Sequence, residues 1–280
     1  MVYAYGEEDT YREKVFYENV RQIQEHNSNS NRTFDKAVNV FAAMTHPEWM
    51  KLYIHKRNKY STVDQQQVIT PLSKVVTVPA GPVIDWQAQG AVTRVISQGS
   101  CNAMYAFAAV GATEGLAAIF FRTSIQLSAQ QVVDCSDAYG NDGCNDGSVD
   151  NALDFVVARG LMSESQYPYN GQVLSCKYQS GTFRGATVYR HTAGCDDLAL
   201  VLTQQPVAVA IDGSSIMYYS GGLFGDCDQD PNFPLLLTGM TDSYWRMKAS
   251  IGVEWGEKGY IRIVRGNSCG VCMAGVFPRP

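Results

Sequence analysis

The first fifty residues carry apolar side chains at helical spacing among many charged ones. Val15, Phe16, Val20 and Ile23 fall near one side of a helix, which predicts an amphipathic helix in this part of the chain. Residues 51–77 are largely polar, and their apolar positions keep no steady period. We therefore predict a linker or an extended arm there.

From residue 78 onward the pattern changes to short apolar runs between glycine-rich segments. Residues 206–211 (PVAVAI) and 259–264 (GYIRIV) are typical of β-strands. Residues 102–119 are small and apolar, with few strand-forming side chains, and this favours a helix. The second region therefore combines strands with at least one helix.

The composition narrows the classes of function. The 280 residues are 45% hydrophobic and 18% charged, with a formal net charge of -5, which suits a globular protein with a sizeable core. A mildly acidic chain without a basic stripe gives no reason to expect nucleic acid as a partner. No apolar run approaches the ~18 residues of a membrane span, so we expect none.

All eight cysteines lie at or after Cys101. Their even number points to disulfides and so to a secretory, lysosome-like or extracellular location. The first residues lack the basic and then apolar pattern of a secretory signal, which leaves an intracellular assembly as the alternative. Asn31, with Thr33 two residues later, fits an N-glycosylation acceptor, which matters only in a secreted protein.

Six residues of the N-terminal region share one spacing pattern. They are Glu8, Arg12, Phe16, Asn19, Ile23 and Asn27. By physics alone these residues fall near one face of a surface helix. Their spacing resembles the E-x3-R-x3-F-x2-N-x3-I-x3-N signature of papain-family propeptides at every position.

The second region resembles the mature domain of papain-like, cathepsin L-type cysteine proteases along nearly its whole length. The similar segments are 127–135 (LSAQQVVDC, similar to LSEQELVDC), 143–147 (GCNDG, to GCNGG), 167–169 (YPY) and 255–260 (WGEKGY, to WGENGY).

This resemblance implies an α+β, papain-like two-lobed fold preceded by a helical propeptide domain. The left lobe would be helical and the right lobe β-barrel-like. We expect a propeptide-like inhibitor domain with its linker over residues 1–77 and a papain-like peptidase domain over residues 78–280.

The resemblance also locates the positions of a papain-type catalytic centre. Residues 98–107 (QGSCNAMYAF) are similar to QGSCGSCWAF, which puts Met104 at the nucleophile position. Phe233 stands at the position of the histidine and Ala249 at that of the orienting amide. A thioether has no proton to lose and a phenyl ring transfers none, so we expect these positions to be degenerate. Gln98 matches the family's oxyanion-type glutamine.

We expect no substitute for these groups. His191 is the one histidine after residue 78, and we interpret it as a loop or edge-strand residue. Cys101 stands where the family has a disulfide cysteine. The C-x2-C spacing of Cys269 and Cys272 has no second pair or histidine cluster beside it, so we expect no metal and no cofactor.

Three disulfides are implied by the same resemblance. Cys272 is an alternative partner of Cys227, and the favoured pairing leaves Cys195 and Cys272 unpaired. The implied pairs are Cys101–Cys144, Cys135–Cys176 and Cys227–Cys269.

From the degenerate positions we expect a protein that is not an enzyme, in an uncleaved zymogen-like form. Its own propeptide would lie in the cleft, and the molecule would be a structural or interaction component of a larger assembly. One alternative is a peptide-binding decoy or protease regulator that uses the cleft. The other is an active cysteine-type peptidase, which requires a histidine within hydrogen-bond reach of Cys101, Cys195 or Cys272.

Overall fold

The structure is a computed structural model that describes residues 7–54, 83–178 and 182–280. The boundary predicted between residues 77 and 78 lies outside the described residues, as does most of the predicted linker. The described residues form an N-terminal segment, a helical lobe and a β lobe.

The N-terminal segment contains α1 (Glu7–Ser28), β1 (Phe34–Lys36) and α2 (His46–Tyr53). The amphipathic helix predicted here is confirmed by α1, whereas α2 runs into the predicted linker. A capping box starts α2, because the Thr45 hydroxyl accepts from the Glu48 N–H while the Glu48 carboxylate accepts from the Thr45 N–H. Pro47 lies in the first turn of α2, where its missing N–H has no helical partner to lose.

Side chains of the spaced N-terminal pattern tie α1 to the chain that follows it. Arg12 donates two hydrogen bonds of 2.8 Å to the two carboxylate oxygens of Glu48 in α2. It also contacts Glu8, one turn earlier, at 3.3 Å. Asn19 donates to the Ala42 carbonyl at 2.8 Å.

Near the end of α1, Asn27 donates to the Lys36 carbonyl at 2.7 Å and accepts from the Lys36 N–H at 3.0 Å. Ile23 is buried and Phe16 is half-buried. The pattern therefore holds the N-terminal segment together as one packed unit.

The helical lobe is built around α3 (Met104–Phe120), which confirms the helix predicted over residues 102–119. A Cβ at Gly111 would lie 2.9 Å from Leu236 Cδ2, and one at Gly115 would lie 2.8 Å from Pro206 Cδ. These small residues therefore let α3 pack closely on the β lobe. The helices are α3 (Met104–Phe120), α4 (Ala129–Cys135) and α5 (Val149–Arg159), with a 3₁₀ turn at Asp137–Tyr139.

The β lobe contains β2 (Ile84–Asp85), β3 (Val188–His191), α6 (Cys195–Leu202), β4 (Val207–Ile211), β5 (Tyr219–Gly222), β6 (Phe233–Met240), β7 (Tyr244–Lys248), β8 (Tyr260–Val264), the 3₁₀ turn Ser268–Met273 and β9 (Val276–Arg279). Seven of these strands form one antiparallel sheet in the order β3-β9-β4-β6-β7-β8, with β2 paired to β6. The remaining strand, β5, pairs with β1 of the N-terminal segment. The strands predicted at 206–211 and 259–264 are confirmed as β4 and β8.

Four disulfides join the eight cysteines. Cys195 and Cys272, which we expected to be unpaired, are bonded to each other across 77 residues, so that expectation is wrong. It failed because α6 and the 3₁₀ turn before β9 are far apart in the chain but packed together in the β lobe. The other bonds are Cys101–Cys144, Cys135–Cys176 and Cys227–Cys269.

Two buried apolar clusters confirm the α+β, two-lobed fold. One surrounds α3 in the helical lobe, and the other fills the β lobe. The second cluster continues into the N-terminal segment through Phe34, Phe41 and Trp49. In the three described ranges, no helix is long and apolar enough to cross a membrane.

Candidate functional site

Met104, Phe233 and Ala249 all belong to the buried apolar cluster of the β lobe, which Met104 joins from the first turn of α3. Met104 is the first residue of α3, Phe233 is the first of β6, and Ala249 follows β7 directly. Met104 and Phe233 are 0% exposed and Ala249 is 3% exposed. Met104 and Ala249 also line a cavity of about 20 Å³ at the base of α3. The three side chains present apolar groups without an exchangeable proton.

Met104 occupies the N-terminus of α3, where the helix dipole favours negative charge. A thiolate at such a place would be stabilised, but the thioether of methionine carries no charge. The preceding residue, Ala103, contributes no side-chain hydrogen bond to the first turn.

Gln98 is completely buried, and its amide is engaged by the protein. Its Nε2 donates to the Cys101 carbonyl at 3.0 Å, and its Oε1 accepts from the Ser250 hydroxyl at 2.7 Å. The Gln98 carbonyl accepts from the Tyr169 hydroxyl at 2.9 Å. In this state Gln98 joins the chain before α3 to the chain after β7. Its oxyanion-type role stays a prediction.

Helix α2 is hydrogen-bonded both to the chain before α3 and to the chain after β4. The Tyr53 hydroxyl donates to the Gly99 carbonyl at 3.0 Å, next to the Cys101 disulfide. Burial raises the pKa of Tyr53 to about 12, so the phenol stays protonated as a donor. One turn earlier in α2, the Trp49 indole N–H donates to the Gly213 carbonyl at 3.2 Å.

Aromatic rings fill the contact between α2 and the β lobe. Trp49 is stacked with Phe233, with ring centroids 6.0 Å apart and ring planes at 20°. Phe41 packs edge-on against Trp49 at 5.1 Å, and Tyr53 packs against it at 4.6 Å. The residue at the predicted histidine position is therefore covered by the N-terminal segment.

The chain between α1 and α2 follows the β lobe through backbone contacts. Strand β1 pairs antiparallel with β5, with Phe34 opposite Gly222. The Ala37 N–H donates to the Tyr218 carbonyl at 3.0 Å. Asn39 extends this contact by donating to the Met217 carbonyl at 2.9 Å. Residues 34–54 thus contact the rest of the protein as an extended segment followed by a helix.

A buried ionic group next to this cluster escaped the sequence reasoning. Thr93 donates to Glu114 of α3 at 2.6 Å and accepts from Lys248 of β7 at 3.1 Å. Burial raises the pKa of Glu114 and lowers that of Lys248. The sequence did contain a signal for this group, the carboxylate of Glu114 within the apolar run 102–119. A buried acid requires a polar or charged partner, so its presence there indicates that one lies nearby.

His191 does not belong to the buried cluster that contains Met104, Phe233 and Ala249; it lies at the end of edge strand β3. Its Nε2 is 2.9 Å from Asp150 Oδ1 in α5. The hydrogen bond to Asp150 raises the pKa of His191 above its usual range. All eight cysteines are in disulfides. Within the described ranges, no group of three or more metal-ligating side chains is positioned to hold a metal ion.

The chain matches two sequence families, one on each side of the predicted boundary. Residues 80–279 match the papain family cysteine protease, and residues 1–49 match the cathepsin propeptide inhibitor domain (I29). The chain belongs to the papain family of cysteine proteases. Its N-terminal segment is the family's propeptide domain.

Individual relatives in the papain family match nearly the whole chain. Cathepsin L1 of Drosophila melanogaster is 36% identical over 300 residues, covering 97% of this chain and 80% of the relative. Procathepsin L of Mus musculus is 35% identical over 303 residues, covering 97% and 86%. The solved structure of digestive procathepsin L 3 from Tenebrio molitor larval midgut has a TM-score of 0.86 and 34% identity, covering 100% of this chain and 95% of that one.

These similarities correct our expectation that the chain is not an enzyme. The matched family consists of cysteine proteases, and the relatives are cathepsin L proteins or their proforms. Neither the family description nor any of these relatives' names indicates a non-catalytic protein, so the family points to an active protease. The roles of structural subunit and of decoy, which were built on that expectation, are overturned with it. The expectation rested on three side chains, whereas the similarity covers both the sequence and the fold.

Proposed function

We propose that the chain is the proform of a cathepsin L-type peptidase, in which residues 34–54 cover the cleft between the two lobes. The observation that carries this proposal is the position of α2. Tyr53 binds Gly99 on one side of the cleft, and Trp49 binds Gly213 and stacks on Phe233 on the other. Membership of the papain family supports peptide-bond hydrolysis as the reaction class.

We further propose that the propeptide domain and its linker occupy residues 1–77 and that the peptidase domain occupies residues 78–280. The family matches over 1–49 and 80–279 support this division. Cleavage between the two parts would remove α2 from the cleft and uncover Phe233, on which Trp49 stacks.

Met104, Phe233 and Ala249 would then form an apolar floor for a bound peptide. Apolar lining with a few polar groups is typical of ligand clefts. These three side chains cannot supply the thiolate and imidazole of a papain-type centre. Hydrolysis would therefore need its nucleophile and its proton carrier from other groups, and a direct assay decides whether the cleft has them.

The test begins with the intact chain, cut within residues 55–77 by an added protease that is then inhibited. Mass spectrometry checks the cut, the loss of the propeptide and the four disulfides. Hydrolysis of a fluorogenic peptide library is measured before and after the cut, with procathepsin L of Mus musculus treated identically as a positive control. We expect hydrolysis that appears only after propeptide loss. A folded, propeptide-free domain that hydrolyses no peptide would overturn the proposal.

A further inference from the structure

The turn between α1 and β1 carries an asparagine suited to covalent modification. Asn31 has Thr33 two residues after it, separated by an arginine. No other asparagine among the 280 residues has serine or threonine at this spacing. The triplet is the acceptor signal for N-linked oligosaccharides, and the proposed peptidase function does not use it.

The acceptor groups of this turn are accessible. Asn31 and Thr33 are both exposed. The turn is held by other atoms: the Asn31 N–H donates to Asn29 Oδ1 at 2.9 Å, and the Arg32 N–H donates to the Asn29 carbonyl at 3.2 Å. Across the described ranges, neither the Asn31 amide nor the Thr33 hydroxyl has a hydrogen-bond partner. A sugar on Asn31 therefore displaces no packed side chain.

The backbone next to the triplet is also fixed without the acceptor groups. The Thr33 carbonyl accepts from the Leu223 N–H at 2.8 Å, and Phe34 then pairs with Gly222 of β5. These contacts use main-chain atoms. A change at the Asn31 or Thr33 side chain should accordingly leave the docking of β1 intact.

The cysteines supply an independent observation about the compartment. All eight are oxidised to disulfides, a state typical of proteins that pass through the secretory pathway. N-linked oligosaccharides are attached to secreted proteins. The disulfides and the exposed acceptor triplet thus point to the same compartment.

We propose that Asn31 is an N-glycosylation site on the propeptide domain. The co-reactant is an oligosaccharide on a polyprenyl diphosphate carrier. The Asn31 amide nitrogen forms a bond to the anomeric carbon, and the bond from that carbon to the carrier's phosphate oxygen breaks. The diphosphate leaves with the bonding electrons, and the amide gives up one proton to a base of the transferase.

The first test uses the full chain from its native source. The protein is digested and treated with an N-glycan-releasing amidase in heavy-oxygen water, which leaves a labelled aspartate wherever a glycan was attached. We expect the label at position 31 and none at Asn27 or Asn29, which lie close by but lack the hydroxyl residue at the required spacing. An unlabelled Asn31 in native protein, or cysteines found reduced, would overturn the proposal.

A second test compares Thr33→Ser, which keeps the acceptor signal, with Thr33→Ala and Asn31→Gln, which remove it. Each full chain is secreted from cultured eukaryotic cells. On amidase treatment, only the parent chain and Thr33→Ser should lose the mass of one glycan. The thermal unfolding midpoint of the amidase-treated proteins should be the same for all four chains. Equal mass shifts in all four chains would contradict the assignment to Asn31.

Discussion

Trp49 of α2 stacks on Phe233 of β6, with ring centroids 6.0 Å apart and planes at 20°. Both rings are 0% exposed, although Trp49 belongs to the propeptide domain and Phe233 to the β lobe. This stack joins the two parts of the chain through apolar contact, in addition to the hydrogen bond from the Trp49 indole to Gly213.

Replacing Trp49 by alanine should loosen the propeptide domain. Truncating a fully buried Trp in a core costs about 3–5 kcal/mol, and the loss falls on the contact that holds α2 in the cleft. We expect Trp49→Ala to speed proteolysis and hydrogen exchange within residues 34–54 of the intact chain. Tyr17→Ala is the control, because Tyr17 is aromatic but 62% exposed in α1. Equal protection in both variants would rule out Trp49 as the anchor.

Acid should weaken the contact between α1 and α2. The hydrogen bonds from Arg12 lower the pKa of Glu48 from 4.5 to about 2. Since the folded pKa lies below the unfolded one, this stabilisation is complete above pH 4.5 and is lost as the pH falls toward 2. The pair is partly exposed, so we expect a contribution of about 0.2–1 kcal/mol.

Hydrogen exchange of α2 measured between pH 5 and pH 2 checks this prediction. Glu48→Gln should exchange faster at pH 5 and show a flatter acid dependence than the parent chain. Glu25→Gln should behave as the parent, because the Glu25 side chain is 74% exposed and its ion pair is long, at 3.7 Å. An unchanged acid profile in Glu48→Gln would mean that other carboxylates control the release of α2.

The buried group formed by Glu114, Thr93 and Lys248 should stabilise the junction of the lobes as a unit. Glu114 and Lys248 attract each other across the Thr93 hydroxyl that binds both. Leaving one buried charge without its partner typically costs about 3–5 kcal/mol. We expect Lys248→Met to be strongly destabilised in urea unfolding. The double variant Glu114→Gln with Lys248→Met should recover part of this loss.

Lys14→Met provides the control for the Lys248 variants, because Lys14 is exposed in α1 and its loss should change stability little. The destabilisation of the double variant is compared with the sum of the destabilisations of Glu114→Gln and Lys248→Met, each measured alone. If the two values are equal, the two charges are not coupled.

The contact between β3 and α5 should weaken as the pH rises. The hydrogen bond to Asp150 raises the pKa of His191 above 6.5. Because the folded pKa is the higher one, the stabilisation is complete below pH 6.5 and is lost as the pH rises through the folded value. His191→Gln should remove this dependence from thermal unfolding curves, and so should Asp150→Asn. Asp137→Asn, at an exposed position, should retain it.

Much of the fold could be predicted from local patterns. The spacing of Phe16, Ile23 and their neighbours indicated α1, and apolar runs indicated α3, β4 and β8, because periodicity reflects which face of an element is buried. The resemblance of whole motifs identified the two-lobed α+β fold. Helix α2 was not predicted as a separate element because its eight residues end inside the polar stretch 51–77, and its buried face consists of Trp49 and Tyr53 alone.

The sequence by itself determined which side chains stand at positions 98, 104, 233 and 249. Only the tertiary structure showed that Gln98 is engaged by Ser250, that Phe233 is covered by Trp49, and that Cys195 reaches Cys272. These contacts join residues that are distant in the chain, and local spacing carries no information about such pairs. The family assignment in turn corrected the expectation of a non-enzyme, because similarity over nearly the whole chain reports a reaction class that three side chains alone did not reveal.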